Sequence, residues 1–332
     1  MALLSSGKFG STTTAAGARA TASTGLPGGR TGGLMTDFSK QERAFSGGLS
    51  LRKTPKISDD EFAQLSAFIY EKTGISIPDK RKYLLENRLG SRLQELGLKT
   101  FKEYYDYLRL DRNKTLEMDK LCEKVTTNET SFYRDVRQLG IFQNDILKDI
   151  IKEQEAAGRK ELFIWSAGCS SGEEPYTLAI MISEVLGMSV IGWNIRITAN
   201  DLSPAMLTKA KEGLYTEYSL RTTPKGIIAK YFDQEGDNFR VKPRIKKLIN
   251  FGPINLSDGM ALKRVPKSHI VFCRNVIIYF DDPMKQSVIT AFYDNLVPGG
   301  YLFLGHSESI HKLSTAFKPV LKPGGMCYRK EG

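Results

Sequence analysis

The spacing of apolar positions changes along the chain, and the change divides it. Phe62, Leu65 and Ile69 recur at helical spacing behind Ser58 and Glu61, a capping-box pair, with Ile57 placed to staple against Phe62. A second helix is predicted from about residue 80 to 96, with Leu85, Leu89, Leu93 and Leu96 on one stripe and Arg81, Arg88 and Arg92 on another. Amphipathic stretches at 101–108 and 116–125 complete a small all-helical domain over residues 55–131. A polar loop, Thr126 to Asp135, then leads into a helix over 136–151. Such a loop is either a functional segment or an ordinary capping loop.

Further on, short apolar runs alternate with helical stretches, as a parallel sheet demands. Residues 162–165 read as a strand, followed by a turn at Gly168 and Gly172 and a helix over 176–186. Glu173, Glu174 and Pro175 suit that helix's first turn, where acids meet the positive end of the dipole and proline's missing N–H costs nothing. A second strand, 195–199, ends in Asn200-Asp201 before the helix start Ser203-Pro204. Between 213 and 251 the pieces shorten, and 239–242 with 247–251 read as antiparallel strands around Pro243-Arg244 in a small inserted β-subdomain. The pattern resumes with a strand at 269–273 that exits at Arg274-Asn275. A helix from 282 to 296 follows, then a turn at Pro298-Gly299-Gly300, a strand at 301–304 and a last strand near 326–328. The prediction is a doubly wound α/β domain over 132–332, with Gly168, Asp201 and Asn275 converging on one crevice at the strand exits.

Composition narrows the class. With 332 residues, 41% of them hydrophobic, the chain can bury a core large enough for two domains. No uninterrupted apolar run approaches membrane-spanning length and no signal-peptide pattern opens the chain, so a cytoplasmic protein without membrane insertion is expected. Cys122, Cys169, Cys273 and Cys327 form no CxxC pair and do not cluster with His269, His306 and His311, which implies reduced thiols and no metal site. The net charge of +11 invites a nucleic-acid partner, but residues 1–56 hold eight Lys or Arg against two acids, so the globular part is only mildly basic. Residues 1–54, rich in Gly, Ser, Thr and Ala, are expected to stay disordered. The arginine stripe is a solvated face or a surface for an acidic partner helix.

The glycine turn is weak evidence by itself. Its two glutamates disfavour pyrophosphate and suit a cationic, phosphate-free cofactor, and an acid at the tip of the second strand is where ribose hydroxyls are gripped. Four motifs go further: Thr-Asn-Glu-Thr-Ser-Phe-Tyr-Arg (127–134), Trp-Ser-Ala-Gly-Cys-Ser-Ser-Gly-Glu-Glu-Pro-Tyr (165–176), Phe-Cys-Arg-Asn-Val-Ile-Ile-Tyr-Phe (272–280) and Leu-Phe-Leu-Gly-His-Ser-Glu-Ser (302–309). In this order they resemble the CheR family of chemotaxis receptor glutamate O-methyltransferases, which use S-adenosylmethionine. The resemblance implies a Rossmann-like methyltransferase sheet. It also implies cofactor contacts from Asn128, Thr130, Arg134, Gly168, Glu174, Asp201, Asn255, Leu256, Arg274 and Asn275, and S-adenosylhomocysteine as product. Arg134 and Tyr279 would flank the reacting centre, and Arg81, Arg88 and Arg92 would dock the helical cytoplasmic region of a chemoreceptor. The family's β-subdomain can dock a receptor tether peptide, but the short hairpin Glu235-Gly236-Asp237-Asn238 favours a tether-independent enzyme, expected to be a monomer. Glu129, Tyr133 and Cys169 depart from the common family pattern without removing an implied contact. Two rivals stand beside this reading: a methyltransferase for another substrate, nucleic acid or a small molecule, and a catalytically silent cofactor-sensing scaffold.

Overall fold

Four helices open the computed structural model, which describes residues 55–331: α1 (Asp59–Thr73), α2 (Lys82–Leu96), α3 (Phe101–Leu110) and α4 (Lys114–Val125). The expected disordered tail lies outside the described residues. The capping box forms as read: Ser58 accepts from the Glu61 N–H, and the Glu61 carboxylate takes the Ser58 N–H. Ile57 and Phe62 lie in one buried cluster with Leu65, Ile69, Leu85, Leu89 and Leu93. The predicted second helix begins two residues late, because Asp79–Arg81 is a 3₁₀ turn.

The next helix runs longer than the 136–151 expected. α5 (Val136–Ile141) continues through a π-helical turn, Phe142–Ile146, into α6 (Leu147–Ala156). Phe142 sits edge-on to both Phe272 and Phe303, so the widened turn is pinned to the sheet by aromatic contacts.

The sheet follows with β1 (Glu161–Ala167), α7 (Glu173–Leu186), β2 (Asn194–Asp201) and α8 (Pro204–Glu212). A small insertion holds β3 (Leu214–Thr216), α9 (Lys225–Tyr231), β4 (Phe232–Glu235), β5 (Asn238–Val241) and α10 (Pro243–Lys246). Then come β6 (Ile249–Pro253), α11 (Gly259–Lys263), β7 (Ser268–Cys273), α12 (Asp282–Asn295), β8 (Leu296–Leu304), β9 (Phe317–Lys322) and β10 (Gly325–Lys330). The large sheet is ordered β6-β2-β1-β7-β8-β10-β9, parallel from β6 to β8, with β10 antiparallel to both its neighbours. β1 therefore has β2 on one side and β7 on the other, and the strand order reverses there.

The period of two assigns the faces. Leu162 and Ile164 of β1, Ile270 and Phe272 of β7, and Tyr301 and Phe303 of β8 enter one core cluster. Trp165 and Ala167, Val271 and Cys273, and Leu302 and Leu304 enter the other, which also holds the core of the helical domain. Stacking of Phe272 on Phe303, 4.5 Å between centroids, ties β7 to β8 on the first face.

Two expectations need correction. Residues 247–251 do not pair with 239–242: β6 joins the large sheet beside β2, and the partner of β5 is β4, turned at Gly236 with φ +60°. Between them Pro243–Lys246 forms a helical turn that carries the chain back to the large sheet. β9 was not foreseen because Pro319 interrupts its pattern, yet it is an edge strand, where a missing N–H is tolerated. Among the described residues one stretch, Glu173–Gly192, is long and apolar enough to cross a membrane. It contains α7, whose residues from Pro175 to Ile182 are buried in the fold.

Candidate active site

Between the exits of β1, β2 and β7 and the first helical domain lies a crevice of about 1030 Å³, its open mouth included. Its lining holds Gly168, Asp201 and Asn275, the three predicted to meet, and also Asn128, Thr130, Arg134, Glu174, Asn255, Leu256, Arg274 and Tyr279. Position at the reversal of strand order explains this convergence.

The β1 turn is built for close approach. Gly168 has φ +77°, and a Cβ there would lie 2.4 Å from Val276 Cγ2, so only glycine lets the β1 and β7 loops touch. The N–H groups of Gly168 and Cys169 both donate to the Asn200 carbonyl, at 2.8 and 2.9 Å. Ser170, itself at φ +49°, gives its N–H to Asp201 Oδ2 at 2.7 Å, and the Ser203 N–H goes to Oδ1 at 2.9 Å. Each oxygen of Asp201 keeps a further lone pair. Burial pushes the pKa of this carboxyl up, and the Ser203, Ser170 and Leu202 N–H groups oppose the push.

Glu174 stands at the start of α7, where the helix dipole favours its charge. Its Oε1 accepts from Ser166 Oγ at 2.8 Å, and Oε2 lies 3.4 Å from Arg274 Nη1. Burial raises its pKa, opposed first by the Arg274 charge. Arg274, with a side chain only 4% exposed, also donates from Nη2 to the Arg134 carbonyl at 2.7 Å. It thereby joins β7 to the 126–135 loop, and its buried Nε has no protein partner among the described residues.

That loop is held against its own preferences. Tyr133 and Asp135 have φ of +53° and +61°, rare for non-glycine residues. The Tyr133 N–H donates to Thr177 Oγ1, and Asp135 caps α5 through the Gln138 N–H. Between them Arg134 emerges half-buried, its Nη1 donating to the Glu129 carbonyl at 2.8 Å. Asn128 donates to Thr126 Oγ1 and accepts Ser170 Oγ at its carbonyl, linking this loop to the glycine turn.

Other implied residues are more committed than expected. The Asn255 amide is engaged at both ends: Nδ2 donates to the Lys72 carbonyl at 2.6 Å, and Oδ1 accepts from Ser257 N–H and Oγ. Arg88 donates to the Val125 carbonyl and to Thr127 Oγ1, bracing the loop rather than facing outward. Arg92 closes on Glu117, which is 2% exposed, through Nε and Nη2, and on Glu95 through Nη1. Of the three stripe arginines, Arg81 is the exposed one.

The helical domain also reaches the site, which sequence reading missed. Thr73 and Ile75 line the crevice, and the Ser76 N–H donates to the Tyr279 carbonyl at 2.9 Å. Glu308 was missed as well, although it lies inside a quoted motif: its buried carboxylate takes N–H groups from the loop that carries Asn275.

Residues 128–324 match the family described as "CheR methyltransferase, SAM binding domain", and residues 60–126 match "CheR methyltransferase, all-alpha domain". The chain belongs to the CheR methyltransferase family. Within the family, a chemotaxis protein methyltransferase of Borreliella burgdorferi is 36% identical over 258 residues, covering 76% of this chain and 89% of its own. Chemotaxis protein methyltransferase 1 of Pseudomonas aeruginosa is 35% identical over 278 residues, covering 81% and 97%. Chemotaxis protein methyltransferase 2 of Vibrio cholerae is 32% identical over 268 residues, covering 79% and 89%.

CheR membership makes S-adenosylmethionine the cofactor. The residues present fit it: Glu174, only partly neutralised by Arg274, for a cationic ligand, Asp201 with free lone pairs for a vicinal diol, a glycine turn that admits backbone approach, and apolar walls from Leu256 and Ile254. Cys169 lines the same crevice, with burial pushing its thiol well above the ordinary range, so it enters as packing and not as a nucleophile.

Proposed function

We propose that this enzyme transfers a methyl group from S-adenosylmethionine to glutamate side chains in the cytoplasmic helical region of chemoreceptors, forming glutamyl methyl esters, and that it works in the cytoplasm. One observation supports the carboxylate acceptor most. Among the described residues lining the crevice there is no histidine or lysine, while a guanidinium, Arg134, and a phenol, Tyr279, are both present. A nitrogen or hydroxyl acceptor usually has to lose a proton, whereas a glutamate with a reference pKa near 4.3 is already ionised at neutral pH. Such a site needs orientation more than proton transfer.

The bound cofactor supplies a methyl carbon made electrophilic by a sulfonium. Asp201 holds the ribose hydroxyls, Glu174 faces the cationic amino-acid end, and Asn128 and Thr130 meet the cofactor from the interdomain loop. Leu256 covers the adenine. Because the Asn255 amide is engaged elsewhere, the adenine edge falls to main-chain groups beside it. Arg134 orients the incoming carboxylate and Tyr279 hydrogen-bonds it. Alignment of this kind is worth on the order of 7 to 11 kcal/mol of barrier, and excluding water from the carboxylate adds to it. Arg81 at the head of α2 serves receptor docking, and the short β4–β5 hairpin fits an enzyme that does not depend on a tether peptide.

The test is incubation with radiolabelled cofactor and chemoreceptor-containing membranes, followed by mild base. Methyl esters release volatile methanol. A base-stable label, or label in nucleic acid, refutes the proposal, and tight cofactor binding with no transfer to any receptor leaves a cofactor-sensing scaffold. Arg134→Ala and Tyr279→Phe are each expected to lower turnover more than cofactor affinity.

A further inference from the structure

The loop leaving β7 carries Arg274, Asn275, Val276 and Tyr279 to the crevice, yet it has no regular structure beyond one 3₁₀ turn at Ile277–Tyr279. Something outside it has to set its path. The N–H groups of Asn275, Val276 and Ile278 converge on one carboxylate, Glu308, at 2.8, 2.9 and 3.3 Å. A fourth N–H, from Gly305 just after β8, reaches the same group at 2.6 Å. Glu308 is 6% exposed and does not itself line the crevice. Its Oε2 is shared by Asn275 and Gly305, so one oxygen ties the exits of two adjacent strands.

We propose that Glu308 is a positioning residue for methyl transfer: it fixes the course of residues 274–279 and, through them, the groups that meet cofactor and substrate. The inference rests on the reading of the crevice as the cofactor site. Asn275 is left-handed at φ +62°, a conformation asparagine tolerates and the two adjacent N–H bonds to Glu308 enforce. Val276, held by the same carboxylate, is the residue that packs on Gly168, so a shift of this loop moves the wall facing the β1 turn. Gly305 leaves room for the arrangement, since a Cβ there would lie 2.7 Å from Glu308 Oε2 and 2.9 Å from the Asn275 nitrogen. Bonds to an ionised acceptor are the strong kind, and four on one buried group leave the loop little freedom.

Glu308→Gln keeps the size but turns one oxygen into an N–H donor facing N–H donors. Calorimetric titration with S-adenosylhomocysteine, at a temperature where circular dichroism shows the variant folded, is expected to give about tenfold weaker binding or more. Hydrogen exchange should quicken at the amides of 275, 276, 278 and 305, and turnover on receptor membranes should fall by a similar factor. Glu308→Asp keeps the charge and draws it back by one methylene, and it replaces the glutamine variant as the test if that one does not fold. A folded variant whose affinity and turnover both stay within about threefold of wild type overturns the proposal. A wild-type protein that binds no S-adenosylhomocysteine refutes instead the reading of the crevice.

Discussion

Arg92→Ala separates a docking surface from a structural ion pair. In the folded protein Arg92 Nε lies 2.9 and 3.2 Å from the two Glu117 oxygens and Nη2 lies 2.6 Å from one of them. Glu117 is 2% exposed, and Tyr104, completely buried, donates its hydroxyl to the same carboxylate at 2.8 Å. Contact with Glu117 holds the Arg92 guanidinium charged more firmly than usual, while burial pushes the Tyr104 phenol up. Removing the guanidinium leaves a carboxylate between α2, α3 and α4 with one neutral donor, and an uncompensated buried charge costs about 3 to 5 kcal/mol. That is a large share of the roughly 5 to 15 kcal/mol by which domains are stable. The second partner, Glu95, is 53% exposed, so Glu95→Ala should cost no more than about 1 kcal/mol. Urea unfolding of the two variants and of Arg92→Met with Glu117→Gln would measure this. The double variant, which removes both charges and keeps an acceptor for Tyr104, is expected to be more stable than Arg92→Ala. If Arg92→Ala loses under about 1 kcal/mol while receptor methylation collapses, the docking role is restored and the reasoning fails.

Three further outcomes follow from the crevice. Asp201→Asn should weaken S-adenosylhomocysteine binding by about 1.5 to 3 kcal/mol in calorimetry, because charge-assisted pairing to the ligand is lost and the new amide must face the Ser170 or Ser203 N–H. Gly168→Ala should cost about 1 to 2 kcal/mol of stability for the left-handed backbone, seen in thermal unfolding, and a larger loss of cofactor affinity through the displaced Val276. Glu174 and Asp201 have raised pKa values when folded, so the folded protein holds protons to higher pH than the unfolded chain does. Their contribution to stability is present at low pH and declines as pH rises through the raised values. If Glu174 pairs with the cationic end of the cofactor as proposed, its carboxyl is drawn back down, so affinity should rise as pH rises through its raised value and binding should release protons, measured by calorimetry in buffers of different ionisation enthalpy.

How much of this was legible depended on the range of the interactions. The Ser58 and Glu61 cap is three residues wide and reads directly from the chain. The meeting of Gly168, Asp201 and Asn275 also reads directly, because a parallel sheet brings its strand exits to one edge whatever lies between them. Arg92 reads as an outward stripe because its partner is 25 residues away on another helix, and no periodicity within α2 announces it. Glu308 is similarly silent: its four donors lie on two loops, and only the packed sheet brings them to one carboxylate. Residues 247–251 read as a partner of 239–242 because nothing local to Pro243-Arg244 shows that the chain crosses there to the large sheet.

The contacts from Lys72, Thr73, Ile75 and Ser76 bear on how the protein could be cut and rejoined. Family matching places a boundary between residues 126 and 128, but the crevice does not respect it: one wall, a partner of Asn255 and a tie to Tyr279 all come from before it. A fusion or truncation that begins at the SAM-binding domain would thus inherit the full sheet and an incomplete pocket. In this protein the helical domain travels with the cofactor as part of the same transplantable unit.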